Sequence, residues 1–207
     1  MPIKSEIIGH AVPLLINDID TDVIIPQTEL ITISKRDLGK GLFARWRYAE
    51  NYIPKVDFIL NQPKYKLANI LLAGRNFGCG SSREHAVWSL LDYGIKCVIA
   101  PSYGDIFYNN SYKNRLLLIR LNENDIMEIV NTLETDNETS KQMIINIEDE
   151  IISIGGYQKK FLLDKIVKLF FITEMDEIKE TLSLSNKMDA YFLKDRLARP
   201  WVYRLNF

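Results

Sequence analysis

Apolar positions in the middle of the chain switch between two periods. "LANILLAG" (67–74) is an almost unbroken apolar run closed by Gly74, the pattern of a buried strand. "SREHAVWSLLDYG" then sets Ala86, Leu90 and Leu91 at helical spacing and stops on Gly94. "KCVIAP" (96–101) is the next apolar run, closed by Pro101. Strand, helix and strand with short connections make a βαβ unit, so the two strands are predicted to be parallel neighbours. A helix over 104–113, the strand "RLLLIRL" and the amphipathic helix "ENDIMEIVNTL" continue the alternation.

The flanks are less regular. Two short strands, about 10–16 and 22–26, are predicted around the acidic turn "NDIDTD", because Asp and Asn favour turns through bonds to their own backbone. "LITISKRDLGKGLFARWRY" reads as a surface loop leading into a short helix. "MIINIEDEIISIGG" alternates as a hairpin about Glu148–Asp149. From Lys160 the pattern turns helical to about Leu184, and "SNKMDAYFLKDRLARPWVY" is a polar, basic and aromatic tail. The expectation is one α/β domain with a mixed sheet over 1–207, with 185–207 as its tail.

Composition narrows the function classes. With 47% hydrophobic and 26% charged residues, the 207-residue chain reads as globular. A net charge of −1 supplies no basic footprint, so no nucleic-acid partner is expected. No apolar stretch approaches the roughly 20 residues needed to span a bilayer, and the start lacks the layout of a signal peptide. No membrane role and a cytoplasmic location are expected. Cys79 and Cys97 are too few to hold a zinc or iron–sulfur site without other ligands, so no metal or cofactor site is expected on this chain.

The chemistry concentrates in "GRNFGCGSSREHA" (74–86), between the first predicted strand of the βαβ unit and its helix. On one reading Ser81 and Glu84 form a capping box and the glycines serve a tight turn. On the other, backbone N–H groups at a helix N-terminus make an anion site, and Arg83, one turn in, adds a planar fork for a carboxylate or phosphate. "GCGSSR" has Arg where a dinucleotide motif needs its third Gly, and no Gly-Lys-Ser/Thr ends it, so small acid anions fit better than nucleotides. Cys79 could be a reactive thiol or a small spacer. His85 could be a base or could pack on the helix face.

"NFGCGSSREHA" closely resembles the signature of the small subunits of 3-isopropylmalate dehydratase (isopropylmalate isomerase), in the aconitase superfamily. "DIDTDVIIP" (18–26), "GLFARWRY" (41–48) and "DYGIKCVIAPSYGDIFYNN" (92–110) resemble the family's other blocks in the expected order. The resemblance implies a swivelling β/β/α three-layer domain, the mobile lobe of a two-chain hydro-lyase. It implies a large-subunit partner carrying a [4Fe-4S] cluster on its own cysteines. The implied reaction interconverts 2- and 3-isopropylmalate by dehydration and rehydration in leucine biosynthesis.

Residue by residue, Ser81 matches the superfamily's general base, acting as an alkoxide. Ser82 and Arg83 match residues that bind a substrate carboxylate, and Asp22 matches an active-site aspartate, expected to orient a histidine of the large subunit. Asp20 is expected to shape the turn. Leu30 and Ile31, in the loop after "IIP", fit an apolar surface for the isopropyl group. Lys35 and Arg36 in that loop keep a tricarboxylate-type substrate open. The rivals are a small subunit of a related hydro-lyase (homoaconitase or citraconate/citramalate type) and a non-catalytic anion-binding module. The chain departs from the family at Val87, Ser111, Leu118 and Arg115. Arg115 stands where relatives carry a glycine with φ above zero.

Overall fold

The computed structural model describes residues 5–30, 37–81, 83–134, 142–173 and 184–203. The chain divides into two compact units, Met1–Ile172 and Thr173–Phe207. The first is built on a seven-stranded sheet of order β4-β3-β2-β1-β5-β6-β7. β1 (Glu6–Leu14) pairs in parallel with β2 (Ala68–Ala73), which continues in parallel to β3 (Cys97–Ala100) and β4 (Leu117–Arg120). On its other side β1 pairs antiparallel with β5 (Gln142–Asn146), followed by β6 (Ile151–Ile154) and β7 (Tyr157–Lys160). The sheet is therefore mixed and changes character at β1, as an α/β fold with a mixed sheet requires.

The near-continuous apolar runs follow from burial on both faces. Leu71, Ala73, Val98 and Leu118 enter one core with α1 (Thr21–Ile24), the segment Leu38–Phe43 and α3 (Glu84–Tyr93); α2 is Ala44–Arg47. Ile70, Leu72, Ile99, Leu117 and Ile119 enter the other with α5 (Glu123–Glu134) and α6 (Lys165–Ile172). α4 (Asp105–Lys113) connects β3 to β4. Each fully buried Leu or Ile stabilises by about 1.5–3 kcal/mol, so β2 and β3 are the firmest part of the sheet, and the signature loop leaves directly from β2.

Three sequence expectations change. Residues 22–26 are not a strand. Asp20 accepts a bond from the Val23 amide on Oδ1 (2.7 Å) and caps the four-residue helix α1, so the cap overrides the apolar run. The segment expected as a surface loop lies inside the first core over 38–47, with Leu38, Leu42 and Phe43 buried. Buried Arg47 ties it together, donating to the carbonyls of Gly39 (3.0 Å) and Leu42 (3.1 Å). The hairpin about 148–149 forms, but β6 turns again at Gly155–Gly156 into β7, so the chain is still strand at Lys160. In the second unit, the expected tail holds α7 (Ser185–Ala198) and a 3-10 turn, Pro200–Tyr203.

Candidate active site

Three loops meet where β1, β2 and β3 end. In open α/β sheets, ligands bind at such carboxyl ends where the sheet changes direction. The loop after β1 lies along the loop after β2: Asp18 N–H donates to the Arg75 carbonyl (2.9 Å), Gly78 N–H to Ile19 (2.7 Å), and Thr21 N–H to Cys79 (3.0 Å). Asp18 and Asn76 both adopt φ +57°, and the Asn76 amide donates to the Asp18 carboxylate (2.8 Å). The loop after β3 closes the set, with Ser102 Oγ accepting from the Asn76 backbone N–H (2.8 Å) and its carbonyl from Phe77 N–H (3.1 Å).

Within this frame the expected site residues fall as follows. Ser81 is exposed at the end of the glycine loop, and its carbonyl accepts from Thr21 Oγ1 (3.0 Å). Arg83 and Asp22, 61 residues apart in sequence, form a two-pronged ion pair. NH1 reaches Oδ1, and NH2 reaches Oδ2 at 3.0 Å. The side chains are 20% and 45% exposed, so the pair faces solvent from the aspartate side. Among the described residues the Nε–H edge of Arg83 has no other partner, which leaves one side of the fork open to an anion. Leu30 ends the 3-10 turn Gln27–Glu29, half-buried against the first core. The Tyr52 hydroxyl donates to both carboxylate oxygens of Glu29, in that same turn, at 2.8 and 3.1 Å. Ser82 and Ile31, and with them Lys35 and Arg36, lie outside the described residues.

The capping box does not form. α3 begins at Glu84, its N-cap is Arg83 in an extended conformation, and no side chain caps it. Glu84 instead accepts from the Asn114 amide (2.7 Å). Arg83 therefore sits at the helix start and not one turn in, where its charge adds to the positive end of the helix dipole. The reactive-thiol reading of Cys79 also fails. Burial raises its pKa, and the carboxylates of Asp20 and Asp18 raise it further. His85 packs edge-on against Trp88, with ring centroids 4.9 Å apart. Asp20 shapes the turn as expected, through its cap.

Sequence reasoning missed Thr21. It is 3% exposed and spans Gly80 with two bonds, one to Cys79 and one to Ser81. The available signal was its place between two aspartates in "DTD", which reads equally well as turn composition. Among the described residues, no group of three or more His, Cys, Asp or Glu could hold a metal. Cys97 is buried on β3 in the second core, and Cys79 lies in the glycine loop. This donor set does not fit an iron–sulfur cluster. No helix of the described residues is long and apolar enough to cross a membrane.

Comparison with known proteins agrees with this layout. The aconitase C-terminal domain family matches residues 1–124. The small subunit of 3-isopropylmalate dehydratase from Rhodopseudomonas palustris (strain TIE-1) is 46% identical over 94% of this chain and 96% of its own. That from Rhizobium rhizogenes (strain K84) is 43% identical over the same shares. The crystal structure of 3-isopropylmalate dehydratase from Methanocaldococcus jannaschii superposes with a TM-score of 0.63 at 28% identity, covering 88% of this chain and 99% of that one. With the family model matching more than half of the chain and relatives above 40% identity covering 94% of it, the chain belongs to the 3-isopropylmalate dehydratase small-subunit family, built on the aconitase C-terminal domain.

Proposed function

We propose that this chain, joined to a large subunit, interconverts 2- and 3-isopropylmalate by removing water and adding it back with the opposite orientation, a step of leucine biosynthesis. The observation that carries the reading is the gathering of Ser81, Arg83 and Asp22 at one end of the parallel strands, from positions about 60 residues apart. Ser81 Oγ takes the proton from the carbon next to a substrate carboxylate. Arg83 holds that carboxylate on its open edge, and Ser82 contributes a second contact. Asp22 fixes the fork and keeps a lone pair on each oxygen for a further donor, such as a histidine of the partner.

A serine hydroxyl is a poor base in water. Ionising it requires positive charge and oriented N–H groups in a site closed to solvent. Arg83 and the uncapped start of α3 supply the first two; exposure of Ser81 in the single chain leaves closure to the partner. A [4Fe-4S] cluster would be held by cysteines of the large subunit and not by this chain, and would supply Lewis-acid assistance to the departing hydroxyl. Leu30 and Ile31 offer apolar atoms to the isopropyl group. The reading is of a cytoplasmic enzyme acting on small water-soluble acids.

Anaerobic assay of this chain, its cognate large subunit, and the two mixed tests the reading. Turnover of 2-isopropylmalate only in the mixture, abolished by Ser81→Ala, is expected. Turnover that survives Ser81→Ala refutes the base assignment. A mixture active on homoaconitate, citraconate or citramalate but not on isopropylmalate refutes the substrate.

A further inference from the structure

We propose that Thr21 is a positioning residue for Ser81, acting through the serine's own peptide group; this rests on the reading of Ser81 as the base. A buried hydroxyl needs a partner, and a threonine in a helix commonly finds one in the preceding turn. Thr21 begins a four-residue helix and has no preceding turn. Its hydroxyl crosses instead to a loop 60 residues away and bonds the Ser81 carbonyl at 3.0 Å. Its backbone N–H bonds the Cys79 carbonyl at 3.0 Å. The two bonds grip the loop on either side of Gly80, which is exposed at φ +89° and touches nothing closer than Asp20 Cβ at 3.4 Å from an ideal Cβ. Gly80 itself has no close packing, so the two threonine bonds are what span it.

Thr21 is itself fixed. Asp20 caps α1, the Thr21 carbonyl accepts from Ile25 N–H (3.0 Å), and Asp20 and Cys79 form a parallel bridge. The Ser81 carbonyl is thereby turned toward a buried hydroxyl, while the residue itself stays exposed for chemistry. The next residue, Asp22, grips Arg83. Successive residues of one short helix thus set the base and the anion fork at a fixed separation before any partner arrives.

The test compares Thr21→Val, which keeps the shape and loses the hydroxyl, with Thr21→Ser, which keeps the hydroxyl. Each is assayed in the two-chain enzyme with substrate carrying hydrogen or deuterium at the carbon that is deprotonated. Thr21→Val is expected to lower kcat by about tenfold or more with KM within about twofold, because a displaced base slows only the proton step. The deuterium effect on kcat should rise with it, and Thr21→Ser should restore both. Unchanged kcat in Thr21→Val, or a loss with no change in the isotope effect, overturns the proposal. An inactive wild-type mixture would count against the functional reading alone. In that case amide exchange at Gly80 and Ser81 of the isolated chain decides: acceleration in Thr21→Val but not Thr21→Ser supports the positioning role, and equal protection in all three chains overturns it.

Discussion

Two glycines of the signature loop should respond differently to the same added methyl group. Gly78 has φ +72° and Gly80 φ +89°, so alanine at either place costs about 1 kcal/mol in backbone conformation. Their surroundings separate them. An ideal Cβ on Gly78 would lie 2.3–2.7 Å from three ring atoms of Phe107, far inside contact distance. Phe107 is buried and packs edge-on against Phe77 with centroids 5.5 Å apart, so the ring cannot swing away freely. Overpacking of that kind adds about 1–3 kcal/mol. At Gly80 the nearest atoms are 3.4 and 3.8 Å away, ordinary contact. Replacing glycine also stabilises by about 0.4–1 kcal/mol through the unfolded chain, which offsets part of both losses. The net expectation is about 1–3.5 kcal/mol for Gly78→Ala and under about 1 kcal/mol for Gly80→Ala. At about 2–4 °C per kcal/mol for a chain of this size, Tm falls by roughly 2–14 °C in the first case and always by less in the second, under about 4 °C. Thermal unfolding of the isolated chain by circular dichroism reads both. Equal losses, or a larger one for Gly80→Ala, would refute the reasoning that space around the loop, and not its dihedrals, sets the penalty.

Arg83→Lys keeps the charge but loses the fork, so KM for isopropylmalate should rise about tenfold or more in steady-state assays of the two-chain enzyme. Asp22→Asn should weaken substrate binding in the Arg83 background and do so much less after Arg83→Lys; additive effects would show that Asp22 acts elsewhere. Arg115 adopts φ +67° and its guanidinium donates to the Phe170 carbonyl, so Arg115→Gly relieves about 1 kcal/mol of strain and loses a charged hydrogen bond worth about 1.5–3 kcal/mol. Urea unfolding should show a net loss, and a more stable variant would contradict the assignment of that bond. The raised pKa of Cys79 means less thiolate than an ordinary cysteine carries at the same pH. Alkylation of the folded chain should therefore be slow near pH 7 and still rising at pH 9; a plateau below pH 8 would contradict it.

β2 and β3 were legible because they are buried on both faces and bounded by glycine or proline; β1, expected at about 10–16, runs Glu6–Leu14 because its first half is only partly buried and shows no apolar run. Local chemistry decided where the reading failed. At 22–26 the apolar pattern "VIIP" was correct about burial, since Ile24 and Ile25 are fully buried, but one aspartate cap made the segment a helix. β7 was hidden because its residues, "YQKK", are only partly buried at a sheet edge and carry no clean alternation. The capping box failed for a related reason. Its spacing was present, but α3 starts only at Glu84 with Arg83 as its N-cap, and the Glu84 carboxylate found Asn114, thirty residues on. Arg115 was the reverse case: a positive φ inferred from the family's glycine is present, and the side chain gains a backbone partner that glycine lacks.

The pairing of Asp22 with Arg83 is the part no spacing rule could show, since it joins loops that follow different strands. It also bears on how a half-site can stay useful alone. An unpaired arginine at a helix start would bind any passing anion, and an unpaired aspartate among Asp18 and Asp20 would repel a carboxylate. Paired in two-pronged fashion, each cancels the other's charge and fixes its direction, while the Nε–H edge of the fork has no partner among the described residues. A surface ion pair of this exposure adds little to stability, on the order of 1 kcal/mol or less, so geometry is its main product. Under the proposed function, Thr21 and Asp22 of one short helix hold the Ser81 carbonyl and the Arg83 fork, so a partner that closed over them would supply the desolvation that the serine needs to act as a base.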